Sequence, residues 1–140
     1  MIILRSLTKE DLPFLLEVRN DYSTRNNLEN NSIFTLEQCK NWFDNLKSPW
    51  YIIVNQQLEA VGYLRINGDE VGCDIHPLYR KQGYAKMAYE LYLANKDYAT
   101  LWVFEDNFAI DLYKKLGFQP TGEYKNIRDR GYIKMEYNGK

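Results

Sequence analysis

The sequence predicts a mixed α/β (α+β) fold, in which strands and helices alternate along the chain and helices cover both faces of one sheet. Short apolar runs that suit strands are interleaved with runs whose apolar residues recur every three or four positions, as on helices. Capping and turn signals separate these runs and give the element order βααβββαβαββ. The length of 140 residues and the 45% apolar content indicate a single domain, residues 1–140, with its own core.

Capping signals mark the elements of the first third of the chain. Residues 2–7 predict the first strand, and Thr8 is placed to cap a helix whose first turn is acidic. The polar, asparagine-rich segment 20–34 predicts a loop that can hold one helical turn. Thr35 begins a Thr-Leu-Glu-Gln capping signal, so a second helix is expected after it.

Three strands are predicted for the middle of the chain. The β-rich runs are 50–54, 60–66 and 71–75. Between the last two lies Asn67-Gly68, a strong signal for a tight hairpin because both central positions of a type I′ turn need a positive φ. These two strands are therefore expected to pair as a hairpin.

Two helices and three strands are predicted for the second half. Their apolar residues follow the two periods in alternation, and a glycine stands where the last helix should end. In order, the elements are a helix over 83–95, a strand over 100–104, a helix over 109–116 followed by Gly117, and strands over 119–125 and 132–137.

Composition excludes several classes of function. The net charge of −1 disfavours a surface that binds nucleic acid or a membrane, and every apolar run is shorter than the roughly 20 residues of a membrane span. The two cysteines, Cys39 and Cys73, form no CxxC pair, so we expect neither a disulfide framework nor a metal site. Residues 1–5 predict a strand rather than a secretion signal, and a cytoplasmic protein, monomer or homodimer, is the expectation.

The segment 71–86 carries the clearest chemical signal. A strand ends at Ile75, Pro77 removes a backbone donor, and Gly83 opens a helix while letting the backbone approach a ligand closely. Three basic side chains accompany this turn: Arg80, Lys81 and Lys86. A basic turn before the free N–H groups of a helix start predicts a phosphate site, although the motifs of Walker loops and Rossmann folds are absent.

Two motifs resemble those of the GCN5-related N-acetyltransferase (GNAT) superfamily. Arg80-x-x-Gly83-x-Ala85 after a strand is similar to its acyl-CoA signature, and segment 109–118, which ends in Leu-Gly-Phe, is similar to its second signature. Their order and separation also fit, and the resemblance covers essentially the whole chain. It implies a twisted, mostly antiparallel sheet of about seven strands, and transfer of an acetyl group from acetyl-CoA to an amine.

The resemblance also implies which residues bind acetyl-CoA, with no metal. Its pantetheine arm would pair with the backbone of Cys73 to Ile75, and Asn107 is expected either to contact this arm or to cap the last helix. The pyrophosphate would be held by the turn and the start of the helix, which comprise Arg80, Lys81, Gln82, Gly83, Tyr84, Ala85 and Lys86.

One catalytic role follows from the resemblance and another stays open. Tyr113 corresponds to the general acid that protonates the departing thiolate, which a group with a pKa of about 10 can do at neutral pH. The base that many relatives carry falls at Phe104, next to Glu105. Glu105, Asp74 and His76 are therefore the alternative bases, together with a water relay.

The first third of the chain is expected to select the acceptor. Arg19, Asn20 and Arg25 precede Trp42-Phe43 in a pattern similar to family members that acetylate nucleotide-linked amino sugars or protein N-termini. The resemblance therefore implies a small-molecule primary amine as acceptor, with a nucleotide-linked amino sugar preferred. A protein N-terminus, an aminoglycoside-like amine and a silent acyl-CoA-binding module are the alternatives.

Overall fold

Seven strands form one sheet in the computed structural model, which describes residues 1–139. In chain order they are β1 (Ile2–Ser6), β2 (Tyr51–Asn55), β3 (Ala60–Asn67), β4 (Glu70–Ile75), β5 (Ala99–Phe104), β6 (Gln119–Ile127) and β7 (Arg130–Tyr137). Across the sheet the order is β1-β2-β3-β4-β5-β7-β6. Neighbours are antiparallel except β4 and β5, which are parallel, so the predicted mixed, mostly antiparallel sheet is confirmed.

Helices pack on both faces of this sheet, as the sequence predicts. They are α1 (Leu12–Asn20), α2 (Tyr22–Arg25), α3 (Leu36–Asp44), α4 (Tyr84–Leu93) and α5 (Ala109–Leu116). Two apolar layers result, one beneath α1 and α3 and the other beneath α4 and α5. The short α2 is the helical turn within segment 20–34. None of the helices in the described chain is long and apolar enough to cross a membrane.

Strand alternation assigns each residue of the sheet to one layer. Ile52 and Tyr63 are fully buried beneath α1 and α3, whereas their neighbours Ile53 and Leu64 are fully buried on the α4 side. This alternation continues into β4 and β5, and it decides which of their side chains face each side of the molecule.

The helix and turn boundaries differ slightly from those expected. The capping box at Thr35 is present, with Gln38 N–H donating to Thr35 Oγ1 at 3.1 Å. The helix expected directly after Thr8 begins with a 3₁₀ turn, and its α-helical part starts at Leu12. The β3–β4 turn is centred on Gly68 and Asp69, one residue later than predicted, so only Gly68 needs a positive φ, which is 61°.

Candidate active site

The parallel strands β4 and β5 diverge and leave a gap in the sheet. Glu70 and Thr100 pair across them, and beyond this pair the gap opens into a cavity of about 500 Å³. Cys73 and Tyr113 border the cavity on the side of α4 and α5, whereas Trp102 borders it on the opposite side. A ligand can therefore reach the gap from each face of the sheet.

The backbone of β4 offers free pairing groups along this gap. His76 N–H donates to Val61 O on β3 at 2.8 Å. Because backbone groups point to alternate sides of a strand, those of Cys73 and Ile75 point away from β3, toward β5. The backbone groups of Cys73 and the Ile75 N–H therefore face the gap where an extended pantetheine arm is predicted, whereas Ile75 O accepts a hydrogen bond from Arg80.

The start of α4 is built to hold an anion. Lys81 and Gly83 have positive φ values of 63° and 83°, which turn the chain sharply into the helix. The first helical hydrogen bond runs from Met87 N–H to Gly83 O at 3.1 Å, so the N–H groups of residues 84–86 precede it and are available to a ligand. The turn residues that line the cavity are Arg80, Lys81, Gly83, Tyr84, Ala85 and Lys86, while Gln82 lies outside its wall.

The Arg80 side chain forms hydrogen bonds with other residues of the protein. Its Nε donates to Ile75 O at 3.1 Å, and its other two nitrogens donate to Ser23 Oγ at 2.6 Å and Thr24 Oγ1 at 2.8 Å. The expectation that this side chain holds a phosphate is therefore corrected. Arg80 joins the end of β4 to α2, and Lys81 and Lys86 remain as exposed cations beside the helix start.

Tyr113 lies in the cavity wall, where a general acid would be needed. Its ring packs edge-on against that of Tyr89, with centroids 5.5 Å apart. Burial raises the pKa of Tyr113 above 10, so the side chain keeps its proton at neutral pH. Burial likewise raises the pKa of the Cys73 thiol, which excludes it as a thiolate nucleophile at neutral pH.

Asp74 and Glu105, two of the predicted alternative bases, have different surroundings. Asp74 borders the cavity on the Trp102 side and accepts a hydrogen bond from Arg65 Nε at 2.9 Å. Glu105 is exposed beyond the end of β5, where its carboxylate lies against Gly131 and outside the cavity wall. The structure therefore corrects the expectation for Glu105, because strand alternation after Phe104 carries it away from the gap.

His76 also lies outside the wall of the cavity. Its Nδ1 accepts a hydrogen bond from Leu78 N–H at 3.1 Å, and its Nε2 pairs with Glu17. These contacts cap the 3₁₀ turn Pro77–Tyr79, which follows β4. The histidine therefore shapes the turn, which removes it from the alternative bases.

The ion pair between Arg65 and Asp74 requires a glycine on the neighbouring strand. Arg65 lies directly opposite Gly72 in the β3–β4 pairing, and a Cβ at Gly72 would overlap the guanidinium group. Burial opposes the charge of Arg65, but the Asp74 carboxylate more than offsets this and raises the pKa of the guanidinium. Gly72 thus makes room for the ion pair between Arg65 and Asp74.

An aromatic platform continues this side of the cavity. The rings of Trp102 and Tyr132 are stacked, with centroids 5.3 Å apart, and Lys125 Nζ lies 4.4 Å from the Trp102 centroid. A half-buried indole that borders the cavity together with a charged pair suits a ligand that combines an apolar face with polar groups.

The side chains expected to bind the acceptor instead stabilise segment 20–34. Arg19 donates to Asn30 O at 2.6 Å, and Arg25 donates to Asn20 O at 3.0 Å. The Asn20 side chain exchanges two hydrogen bonds with the Phe34 backbone, at 2.9 and 3.0 Å. None of the three side chains borders the cavity at the gap, so the structure does not bring the residues expected to bind the acceptor to this cavity.

The β6–β7 turn holds the same loop from the other side. Arg128 donates to the carbonyls of Leu28 and Glu29, both at 2.8 Å, and Arg130 donates to Asn26 O at 2.6 Å. These contacts join residues about a hundred positions apart and hold the loop, whose Asn27 borders the cavity. These contacts could not be predicted from the sequence, because neither the turn nor the loop has a local pattern that indicates which distant segment it contacts.

Three further residues of the site were also missed. Arg65 is a charged residue inside an apolar strand run, which is the signal that could have identified it. Tyr89 follows Ala85 by about one helical turn and is 1% exposed, on the buried side of α4. Trp102 carries no such signal. Asn107 borders the cavity, and its Oδ1 accepts from the N–H of Ala109, the first residue of α5, at 2.9 Å.

Comparison with known proteins agrees with this geometry. A model of the acetyltransferase (GNAT) family matches residues 7–118. No curated protein gives a significant match. Spermidine N-acetyltransferase from Vibrio cholerae, solved with CoA and spermine, is 20% identical, with 99% of this chain and 95% of that chain covered and a TM-score of 0.83.

Two further structures share the fold. A domain from Methanocaldococcus jannaschii DSM 2661 is 20% identical, with 97% of this chain and 98% of that chain covered and a TM-score of 0.79. An N-acetyltransferase from Staphylococcus aureus Mu50 is 17% identical, with coverage of 100% and 99% and a TM-score of 0.74. Since the family model spans most of the sequence, the chain belongs to the acetyltransferase (GNAT) family of acetyl-CoA-dependent acyltransferases.

Proposed function

We propose that the protein transfers the acetyl group of acetyl-CoA to the primary amine of a nucleotide-linked amino sugar. The observation that carries this proposal is the gap between β4 and β5, which is lined from both faces of the sheet. The thioester would enter from the side of α4 and α5 and the amine from the side of Trp102. Holding both reactants in one gap converts a bimolecular encounter into a reaction between oriented neighbours.

The donor side would use mainly backbone groups. The N–H groups of residues 84–86 would bind the pyrophosphate, with Lys81 and Lys86 adding positive charge. The pantetheine arm would pair with the free edge of β4, which brings the thioester carbonyl to the N–H of Ile75. That N–H is the donor that would stabilise the developing oxyanion.

The acceptor side would supply the amine in its neutral form. The nitrogen attacks the thioester carbon, a C–N bond forms, and collapse of the tetrahedral intermediate breaks the C–S bond. The departing thiolate takes the proton of Tyr113, and the proton lost by the amine passes to Asp74 and then to solvent, from which Tyr113 is reprotonated. Asp74 is proposed here because it is the acidic side chain of the described cavity wall.

The charge of the cavity supports an acceptor other than a polyamine. A polyamine carries several positive charges and needs several carboxylates, whereas the described wall offers Asp74, which is already paired with Arg65. The described wall carries more basic than acidic side chains, Arg65, Arg80, Lys81 and Lys86 against Asp74, and this balance favours an anionic ligand. The sugar nucleotide is therefore proposed over spermidine, although the Vibrio cholerae structure was solved with spermine.

Release of CoA from acetyl-CoA tests the proposal across acceptors. UDP- and dTDP-linked amino sugars, spermidine, an aminoglycoside and peptides with free N-termini would be compared at equal concentration. We expect kcat/KM to be highest for a sugar nucleotide. A preference for spermidine or a peptide would overturn the acceptor, and acetyl-CoA binding by calorimetry without release for any amine would indicate a silent binding module.

A further inference from the structure

Tyr89 carries a buried hydroxyl that has no hydrogen-bond partner among the described residues. The residue lies on α4, is 1% exposed and borders the cavity at the gap. A buried hydroxyl without a partner costs free energy, and such a group is retained where a ligand or a reaction intermediate supplies the partner. The phenol ring of Tyr113 is its neighbour, 5.5 Å away between centroids and at 78°.

Tyr63 carries the second buried hydroxyl of this kind in the described chain, and it influences a different group, Asp74. Its hydroxyl is also buried and without a partner in the described chain. It lies in the other layer, stacked on Trp50 with centroids 5.7 Å apart, and outside the wall of the cavity. Tyr89 differs because it borders the cavity and its ring packs edge-on against Tyr113, the side chain that is proposed to donate a proton.

We propose that Tyr89 is a positioning residue that stabilises the Tyr113 phenolate left after Tyr113 protonates the departing thiolate. This inference rests on the proposed function, in which Tyr113 is the general acid. In the step, the Tyr113 O–H bond breaks and an S–H bond forms on CoA. The Tyr89 hydroxyl keeps its own proton and donates a hydrogen bond to the new phenolate oxygen. This hydrogen bond stabilises the phenolate form of Tyr113 more than the neutral form.

The charges around the two rings are consistent with stabilisation of the Tyr113 phenolate by Tyr89. Burial raises the pKa of Tyr113, while the Tyr89 hydroxyl acts in the opposite sense by favouring the phenolate. The other titratable groups that influence Tyr113 are Cys73 and Asp74 on β4 and Arg65 on β3, of which Arg65 also favours the phenolate. The Tyr89 hydroxyl itself stays protonated, because burial raises its pKa well above 10.

A double-mutant cycle tests the inference. Tyr89→Phe, Tyr113→Phe and the double variant would be compared in single-turnover acetyl transfer, using the acceptor with the fastest CoA release. We expect Tyr89→Phe to slow transfer about tenfold, with the Kd of acetyl-CoA unchanged. In the Tyr113→Phe background the same change should have no effect, because the phenolate no longer forms. Equal losses in both backgrounds, or no loss in either, would overturn the inference.

A measurement without turnover separates this inference from the proposed function. The pKa of Tyr113 would be followed by NMR of proteins labelled at tyrosine ¹³Cζ, with the signal assigned from Tyr113→Phe. Tyr89→Phe should raise that pKa, and the alkaline limb of the transfer rate should move upward with it. The matched control Tyr63→Phe, which also removes a buried hydroxyl, should leave the Tyr113 pKa unchanged, because Tyr63 is not among the groups that influence Tyr113. An unchanged Tyr113 pKa in Tyr89→Phe refutes the inference even if no acceptor is acetylated.

Discussion

The two sides of the gap are built in different ways. The donor side is one continuous stretch, residues 73–86, and its ligand groups are mostly backbone N–H groups at a strand edge and a helix start. The acceptor side is assembled from side chains on separate strands, Arg65, Asp74 and Trp102, and from a loop held by the β6–β7 turn. A backbone site tolerates changes of side chain, whereas a site made of side chains can be altered one residue at a time.

This difference indicates how the two reactants are selected. The donor is common to the family, so a site made of main-chain geometry suits it. The acceptor varies, and its selection depends on contacts between distant segments. Variants that affect only one side should therefore separate the binding of acetyl-CoA from that of the amine.

The largest effect on turnover is expected at Tyr113, where the donor and acceptor sides of the gap meet. Tyr113→Phe should lower kcat about 100-fold, because general acid catalysis typically contributes that much or more. Acetyl-CoA should still bind, since its proposed contacts lie elsewhere, and calorimetry would measure its Kd. A variant that lost binding and turnover together would show that Tyr113 belongs to the donor site rather than to the reaction.

Breaking the ion pair between Arg65 and Asp74, on the acceptor side, should lower the stability of the protein. Asp74→Asn leaves Arg65 without its counter-charge and should lower the free energy of unfolding by about 2 kcal/mol, less than for a fully buried pair because Arg65 is partly exposed. Denaturant unfolding measures this change. Adding Arg65→Met should recover at least half of the loss, and no recovery would mean that Asp74 acts through other contacts.

The link between the β6–β7 turn and the loop should affect the acceptor alone. Arg128→Ala removes hydrogen bonds to Leu28 and Glu29 and should raise the KM of the amine about tenfold, with the Kd of acetyl-CoA unchanged. Arg5→Ala is a matched control, because it removes a two-pronged pair with Asp11 far from the gap. An equal rise in KM for the control would indicate a general loss of stability.

The smallest effect is expected from the exposed cations of the donor side. Lys81→Ala should weaken acetyl-CoA binding about threefold at low salt and less at high salt, because exposed charges are screened. The exposed Lys114 on α5 gives the control Lys114→Ala, which should change nothing. A loss larger than tenfold for Lys81→Ala would mean that side chains, and not the backbone, hold the phosphates.

The same contrast explains what could be predicted from the sequence. The order of strands and helices follows from local periodicity, and the turn before Gly83 follows from residues adjacent in the chain. The acceptor side could not be predicted in this way, because Arg128 finds its carbonyl partners about a hundred residues earlier. The roles of Arg19 and Arg25 could not be predicted either, because no local pattern indicates that their guanidinium groups donate to carbonyls of segment 20–34.

The position of Trp102 gives the molecule an optical reporter of its own. The other two tryptophans, Trp42 and Trp50, contact each other in the layer beneath α1 and α3, with ring centroids 4.5 Å apart. Replacing both by phenylalanine would leave one indole, at the mouth through which the amine is proposed to enter. Its fluorescence would then follow the arrival and departure of unlabelled acceptors in real time.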